Sequence, residues 1–304
     1  MKKVLVIGGA GFIGSHVVDA LVKKGLETAV IDNLSSGNKE NLNKKSKFYE
    51  VDIKDEKISH IFDREKPDYV FHLAAQINVR KSIENPIEDA DINILGSLNI
   101  LNNCVKNKIK KIIFSSSGGA IYGDDVKIPT SENEKEKPIS PYGIAKLTVE
   151  NYLEFFKRVD GLDYVALRYA NVYGPRQNSK GEAGVIAIFI DNLLNNGKII
   201  INGSGGQTRD YIYVKDIAKA NLLALKLNGI FNVGTGIETN INELYKKIKN
   251  IMKVNVKLEH GEAIKGEQMR SCLDYSKIKK KEWDFDYDLD KGLKETVAYF
   301  QNKK

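Results

Sequence analysis

The chain predicts a doubly wound α/β architecture: a parallel sheet covered on both faces, with a smaller, interleaved α/β lobe. Three observations carry that prediction. Near-continuous apolar strands alternate with helical patterns through the first 170 residues, and a glycine-rich turn separates the first strand from the first helix. After Tyr169 the alternation loosens, and all six prolines lie at or before Pro175. Strands read as unbroken apolar runs when helices cover both faces of a parallel sheet.

In order, "VLVIG" (4–8) leads to a helix over roughly 12–24 and then to "TAVID" (28–32). "KFYEVD" (47–52) precedes a short helix and the strand "YVFHLAA" (69–75). A long helix over roughly 87–107 leads to "KIIFSSS" (111–117), and the helix carrying Tyr142 leads to "DYVALRYA" (163–170). "GIFNVG" (229–234) reads as a strand returning to the sheet. The first domain is therefore expected over 1–170, with about 205–235 returning to it, and the second lobe mainly over 171–304.

Composition sets bounds on function. With 304 residues, 42% hydrophobic and 29% charged, the chain can bury a substantial core. "KKVLVIGG" shows no leader pattern, and no apolar run reaches spanning length, so a cytoplasmic protein without a membrane partner is expected. Cys104 and Cys272 form no disulfide framework, and the four histidines stand far apart, so no metal site is expected. The net charge of +7 comes from short, scattered lysine runs that read as solvated faces, not as a nucleic-acid footprint.

"IGGAGFIGSH" follows the first strand and opens the first helix. Gly9, Gly11 and Gly14 satisfy G-x-G-x-x-G, and Gly8, Gly11 and Gly14 the related G-x-x-G-x-x-G. Glycines there allow a tight turn and close approach of backbone to a pyrophosphate, while the helix N-terminus supplies N–H donors and positive dipole. Asp32 ends the second strand, where a carboxylate accepts from a ribose diol and repels a 2′-phosphate. No arginine stands in "NLSSG", so NAD is expected over NADP. Together these features predict a Rossmann dinucleotide fold.

A tyrosine with a lysine four positions on is a catalytic signature of nicotinamide enzymes, yet the chain holds six such pairs. Chance alone supplies roughly two. Tyr211/Lys215, Tyr245/Lys249, Tyr275/Lys279, Tyr287/Lys291 and Tyr299/Lys303 lack the context that Tyr142/Lys146 has. Only Tyr142 begins a helix in the nucleotide-binding half, after a buried-looking strand ending in the serine cluster of "IIFSSSGGAIYGD". Lys146 lies one helical turn on, on the same face. A free phenol is a poor base at neutral pH, and a nearby ammonium favours its phenolate.

With those residues assembled, the chain resembles the extended short-chain dehydrogenase/reductase superfamily. Within it, the chain is most similar to the UDP-glucose 4-epimerase group of the NAD-dependent epimerase/dehydratase family. The resemblance spans nearly the whole chain, through "GGAGFIGSH", "DNLSSG", "FHLAAQ", "NILGSLNIL", "SSSGGAIYG", "SPYGIAK", "RYANVYGPRQ", "GEAGVIAIFI", "GSGGQTRDYIYVKD" and "NVGTG". It implies that Gly8, Gly11, Phe12, Ile13 and Gly14 cradle pyrophosphate and that Asp32, Asn33, Ser36 and Gly37 hold the adenosine ribose. Asp52 and Ile53 would flank adenine, Leu73, Ala74 and Ala75 line the cofactor path, and Tyr169 lie beside the nicotinamide. Tyr142 and Lys146 would be the catalytic pair, and Asn171 and Arg209 would hold the diphosphate of a UDP-sugar in the second lobe. The implied reaction oxidises the sugar at carbon 4, rotates the keto sugar and reduces it on the other face, without net redox. A homodimer through the helices at 87–107 and 140–158 is also implied.

Ser117 is the serine expected to assist Tyr142, with Ser116 as the alternative. Gly118 and Gly119 stand where relatives that dehydrate or decarboxylate carry acids, so elimination chemistry is not expected. The family's diphosphate arginine is replaced by Ile264 in "IKGE", with Lys265 or Arg270 to compensate. Glu267 and, four residues on, Ser271 match the substrate side, and a residue as small as Ser271 predicts that an N-acetyl group is admitted. The rival readings are a 4-epimerase of another UDP-sugar such as UDP-glucuronate, and an NAD-bound sensor without catalysis.

Overall fold

The structure, a computed structural model, describes residues 2–179, 184–256, 258–263 and 268–303. Its strands are β1 (Lys3–Ile7), β2 (Glu27–Asp32), β3 (Lys47–Glu50), β4 (Tyr69–His72), β5 (Lys111–Ser117), β6 (Asp163–Tyr169) and β7 (Asn171–Tyr173). They continue with β8 (Ile199–Asn202), β9 (Thr208–Tyr213), β10 (Gly229–Val233), β11 (Glu238–Asn240), β12 (Leu258–Gly261) and β13 (Arg270–Ser271). The helices are α1 (Phe12–Lys23), α2 (Ile58–Glu65), α3 (Val79–Glu84), α4 (Pro86–Ala90), α5 (Gly96–Lys106) and α6 (Gly118–Ile121). After these come α7 (Pro141–Asp160), α8 (Val185–Leu194), α9 (Val214–Ala224), α10 (Ile241–Met252), α11 (Ser276–Lys279) and α12 (Leu289–Lys303).

Seven strands form one sheet in the order β10-β6-β5-β4-β1-β2-β3. The β1–β2, β1–β4, β2–β3 and β4–β5 pairs are parallel, with Val4 opposite Thr28 and Tyr69. This is a Rossmann order, in which the sequence of strands reverses beside β1 and ligands gather at the carboxyl ends. The apolar strands predicted in the first 170 residues are all present. Leu5, Ile7, Ile31, Val70, Ile112 and Ala166 are fully buried in a core closed by Phe62, Ile100 and Val149 from the covering helices.

The helix predicted over 87–107 is present as one run over 86–106, in which a π turn at Asp91–Leu95 joins α4 to α5. Its apolar rows run on through the wider turn, so periodicity alone does not show it. One expectation is corrected. The stretch 205–235 divides: β10 joins the large sheet, while β9 lies in a smaller one, between β11 and β13 and paired also with β7.

The chain forms two compact units. The first comprises 1–122, 135–168 and 218–231; the second comprises 123–134, 169–217 and 232–304. Within the first, the ammonium of Lys111 at the start of β5 donates to the carbonyls of Leu225 (3.2 Å) and Leu227 (2.6 Å), clasping the late segment to the sheet. Within the second, buried Asp210 accepts from the N–H groups of Thr235, Gly236 and Leu273 and from the Thr235 hydroxyl, joining β9 to two loops.

Candidate active site

The chain turns at Gly8 with φ +83°, and a Cβ there would stand 2.5 Å from the Ala74 nitrogen. A Cβ on Gly14 would stand 2.0 Å from the Gly8 carbonyl, so α1 seats on the turn only because no side chain intervenes. Gly11 caps α1 without a side-chain hydrogen bond, and the first turn carries no acid. Its N–H groups, with half-buried Phe12 and Ile13 beside them, therefore present a positive end to an anion.

Asp32 ends β2 almost buried, accepting from Ala10 N (2.9 Å) and Leu34 N (2.8 Å). Asn33 donates to Asp52 at 2.7 Å, and a Cβ on Gly37 would meet Asp32 Oδ1 at 2.8 Å. Ser36 is exposed; Ile53 is buried where a Cβ on Gly96 would crowd it. Leu73 and Ala74 both donate to the Ile7 carbonyl, and Ala75 continues half-buried behind them. The structure thus gathers the predicted cofactor residues of the first unit around the ends of β1, β2 and β4. They fit a dinucleotide: an open helix N-terminus over side-chain-free turns, and a carboxylate one strand away.

Ser140 caps α7 by accepting from Gly143 N (3.1 Å), with Pro141 at the first helical position. Gly143 lets that helix press on α6, since a Cβ would lie 2.3 Å from the Ala120 carbonyl. Lys146 is 4% exposed; its ammonium donates to the Ser115 carbonyl (2.8 Å), 4.8 Å above the Phe114 ring and 5.7 Å from the Tyr142 ring centre. The Ser117 hydroxyl stands close enough to the Tyr142 phenol to favour its ionised form. Ser116, one residue earlier, faces the other side of β5 and donates to buried Glu150 at 2.6 Å. Of the two serines, the structure brings Ser117 to the phenol.

Tyr142 is half-buried. Burial first, and then the negative charge of Asp89, push the phenol up to about 12, against the effect of the Ser117 hydroxyl. Burial pulls Lys146 down to about 8, opposed by Asp89 and Glu150. His72 stays neutral, held down at about 3 by burial and by Lys146.

The remaining candidates lie in the second unit. Tyr169 is buried at the end of β6, and Asn171 is exposed at the start of β7. Arg209 on β9 stands in register with buried Ser271 on β13 and donates to the Thr208 carbonyl at 2.8 Å. Arg270 is committed to Glu238 through Nε (2.9 Å) and Nη2 (2.5 Å), so its guanidinium already carries a bidentate pair. Ile264, Lys265 and Glu267 lie outside the described residues. Among the described residues, no cluster of three or more His, Cys, Asp or Glu is placed to hold a metal, and no helix is long and apolar enough to cross a membrane.

Sequence reasoning missed two buried polar groups behind the site. One is Glu150, held by Arg168 through Nε (3.0 Å) and Nη2 (2.6 Å), with Arg168 also on Tyr122 and Glu136. Its signal was present, since Glu150 follows Lys146 by one helical turn on the same face. The other is Asp89, whose partner Asn93 follows it by four residues in the short elements before α5.

Strand order and glycine turn define a Rossmann-type α/β protein, with a tyrosine–lysine pair on the helix after its fifth strand. The chain belongs to the NAD dependent epimerase/dehydratase family, whose model matches residues 4–234. It is similar to the crystal structure of a UDP-glucose 4-epimerase with UDP-glucose from Thermotoga maritima, at 51% identity and TM-score 0.97, covering 99% of each chain. A UDP-glucose 4-epimerase of Thermus thermophilus in complex with NAD matches at 38% identity and TM-score 0.95, over 99% of this chain and 100% of that one. A UDP-N-acetylglucosamine 4-epimerase from Methanobrevibacter ruminantium, in complex with UDP-N-acetylmuramic acid, matches at 41% identity and TM-score 0.95, over 100% and 99%.

Proposed function

We propose that this protein interconverts UDP-hexoses differing in configuration at carbon 4, UDP-glucose and UDP-galactose first, with NAD as resident cofactor. The observation that carries the reading is the Ser117–Tyr142–Lys146 constellation, set in the same unit as an NAD-type glycine turn. Gly8, Gly11, Phe12, Ile13, Gly14, Asp32, Asn33, Ser36, Gly37, Asp52, Ile53, Leu73, Ala74, Ala75 and Tyr169 are the residues proposed to hold the cofactor. When bound, NAD⁺ supplies the two-electron acceptor that takes hydride from the sugar and returns it. Tyr142 takes the proton of the sugar 4-hydroxyl as base and later gives it back as acid. Ser117 orients that proton, and the Lys146 ammonium favours the phenolate. Gly118 and Gly119 place no carboxyl group beside the sugar, which disfavours elimination. Asn171, Arg209, Glu267 and Ser271 are proposed to bind the UDP-sugar.

Buried Ser271 favours a second substrate, UDP-N-acetylglucosamine, because a small wall leaves room for the N-acetyl group; the similarity to an epimerase of that name supports it. We also infer a cytoplasmic homodimer. Ile144, Phe155 and Val159 lie on one side of α7, exposed at 50%, 46% and 64%, alongside Ile87 on α4 at 82%, a stripe suited to a second copy.

The test is proton NMR of the anomeric signals after adding UDP-glucose, or separately UDP-N-acetylglucosamine, to protein with NAD⁺. Formation of both carbon-4 epimers is expected from each. Glucose turnover alone discards the Ser271 argument, UDP-glucuronate turnover alone moves the substrate, and no turnover of any of these UDP-sugars overturns the epimerase reading.

A further inference from the structure

Asp89 stands on α4, a helix packed against α7, and is 1% exposed. Its Oδ1 accepts from Gln76 Nε2 and Asn93 Nδ2, each at 2.9 Å. Its Oδ2 is buried with no hydrogen-bond partner. Gln76 belongs to the loop after β4: its N–H donates to Asn93 Oδ1 (2.8 Å), its carbonyl accepts from Asn93 Nδ2 (2.9 Å), and its side chain bonds Asn78. One carboxylate thus knots the loop that follows Leu73, Ala74 and Ala75 to the elements that pack on the tyrosine helix. Ser82 of α3, whose hydroxyl accepts from Tyr142 N at 3.3 Å, ties the same region to the start of α7.

We propose that Asp89 is a positioning residue of the active site, whose buried negative charge opposes ionisation of the Tyr142 phenol while holding Lys146 as an ammonium. The proposal rests on the reading of Tyr142 and Lys146 as the catalytic pair. A residue that is base in one half-reaction and acid in the other must surrender its proton and recover it. Lys146 and a bound cationic ring draw the phenol toward phenolate; an opposing carboxylate keeps reprotonation within reach.

The charges around the pair leave Asp89 distinct. On α3, Arg80, Lys81 and Glu84 are exposed; on α4, Glu88 pairs with Lys81; and in the π turn Asp91 pairs with Lys54. Lys106 of α5 pairs with Asp63, and Lys111 of β5 is spent on its two carbonyls. His72 of β4 is neutral, and on α7 itself Glu150, which also favours the Lys146 ammonium, is paired with Arg168. Among the described charges of these elements, Asp89 is a buried carboxylate with no salt-bridge partner, and both members of the pair respond to it.

The signs give a signature that a loss of shape does not share. Removing the charge lowers the phenol's pKa and takes the Lys146 ammonium further below about 8, so both limbs of turnover move to lower pH. Asp89→Asn in the NAD-loaded protein is expected to shift the whole pH profile downward, and Asp89→Glu to leave it near the wild-type position. Asp89→Ser serves as the second neutral replacement if the amide does not fold. Carbon-13 NMR of ring-labelled tyrosine, with the Tyr142 signal assigned by Tyr142→Phe, follows the same ionisation without turnover. A downward shift there with no epimerisation by the wild type sinks the function but keeps the inference. Unmoved limbs and an unmoved Tyr142 titration in the neutral variants overturn it, whatever happens to the rate.

Discussion

At the residue scale, the site separates side chains that differ by one position. Ser116 and Ser117 are adjacent in β5 and point to opposite faces, one to Glu150 and one to the Tyr142 phenol. Ser117→Ala is expected to lower kcat with unchanged thermal stability. Ser116→Ala leaves kcat near wild type and costs about 1–3 kcal/mol, because buried Glu150 loses a donor. Turnover and thermal melts on both variants decide it, and the opposite pattern would assign the assisting role to Ser116. Tyr142→Phe should reduce kcat by roughly 10²–10⁴-fold, the usual range for a general base, with little change in KM; a retained rate would remove Tyr142 from the mechanism. The pair was legible in the sequence only through context, since spacing alone fits six tyrosines. Ser117 was expected from the family resemblance and not from the residues themselves, because which serine faces the phenol depends on the pleat at a strand end. Asp89 was hidden for another reason: an acid among "NPIEDADIN" looks like any solvated helix face until tertiary packing encloses it.

At the element scale, the large sheet was readable because buried parallel strands are continuous apolar runs, and "VLVIG" or "YVALRY" has no other home. The smaller sheet was not, since its strands are short and β9 mixes Arg209 and Asp210 with Tyr211 and Ile212. The π turn was likewise invisible, as a single wide turn keeps Ile92 and Leu98 against the core. Elements here also fail in predictable ways. Gly14→Ala places a methyl group against the Gly8 carbonyl, so α1 must back away from the turn. The expected outcome is a loss of about 1–3 kcal/mol together with weaker NAD binding, measured by melting and by cofactor titration; unchanged affinity would detach the glycine turn from the cofactor. Arg168→Leu strands Glu150 as an uncompensated buried charge between α7 and β5, which costs about 3–5 kcal/mol. Replacing Glu150 by Leu in the same chain should recover most of it, checked by denaturant midpoints of the single and double variants.

At the scale of the whole molecule, six segments alternate between the two units, so neither is a contiguous piece of chain. A chain ending at residue 170 lacks β10, leaving β6 as an open sheet edge, and is expected to aggregate, which solubility and circular dichroism would check. A soluble, folded fragment would show that the returning segment is dispensable. If the exposed stripe on α7 joins two copies as inferred above, Phe155→Glu with Val159→Glu should leave the fold intact and halve the mass seen by light scattering; an unchanged mass would remove that stripe from the interface. The alternation of segments was not legible, because the crossing at 123–134 has no periodicity to read. The clasp made by Lys111 gives that threading a tempo. Its ammonium reaches carbonyls 114 and 116 residues further along, so its formation closes a loop of nearly two-fifths of the chain. The entropy of closing so long a loop leads us to expect this contact after the barrier to folding has been crossed. Loosening it with Lys111→Met should therefore hasten unfolding while leaving the rate of folding almost untouched.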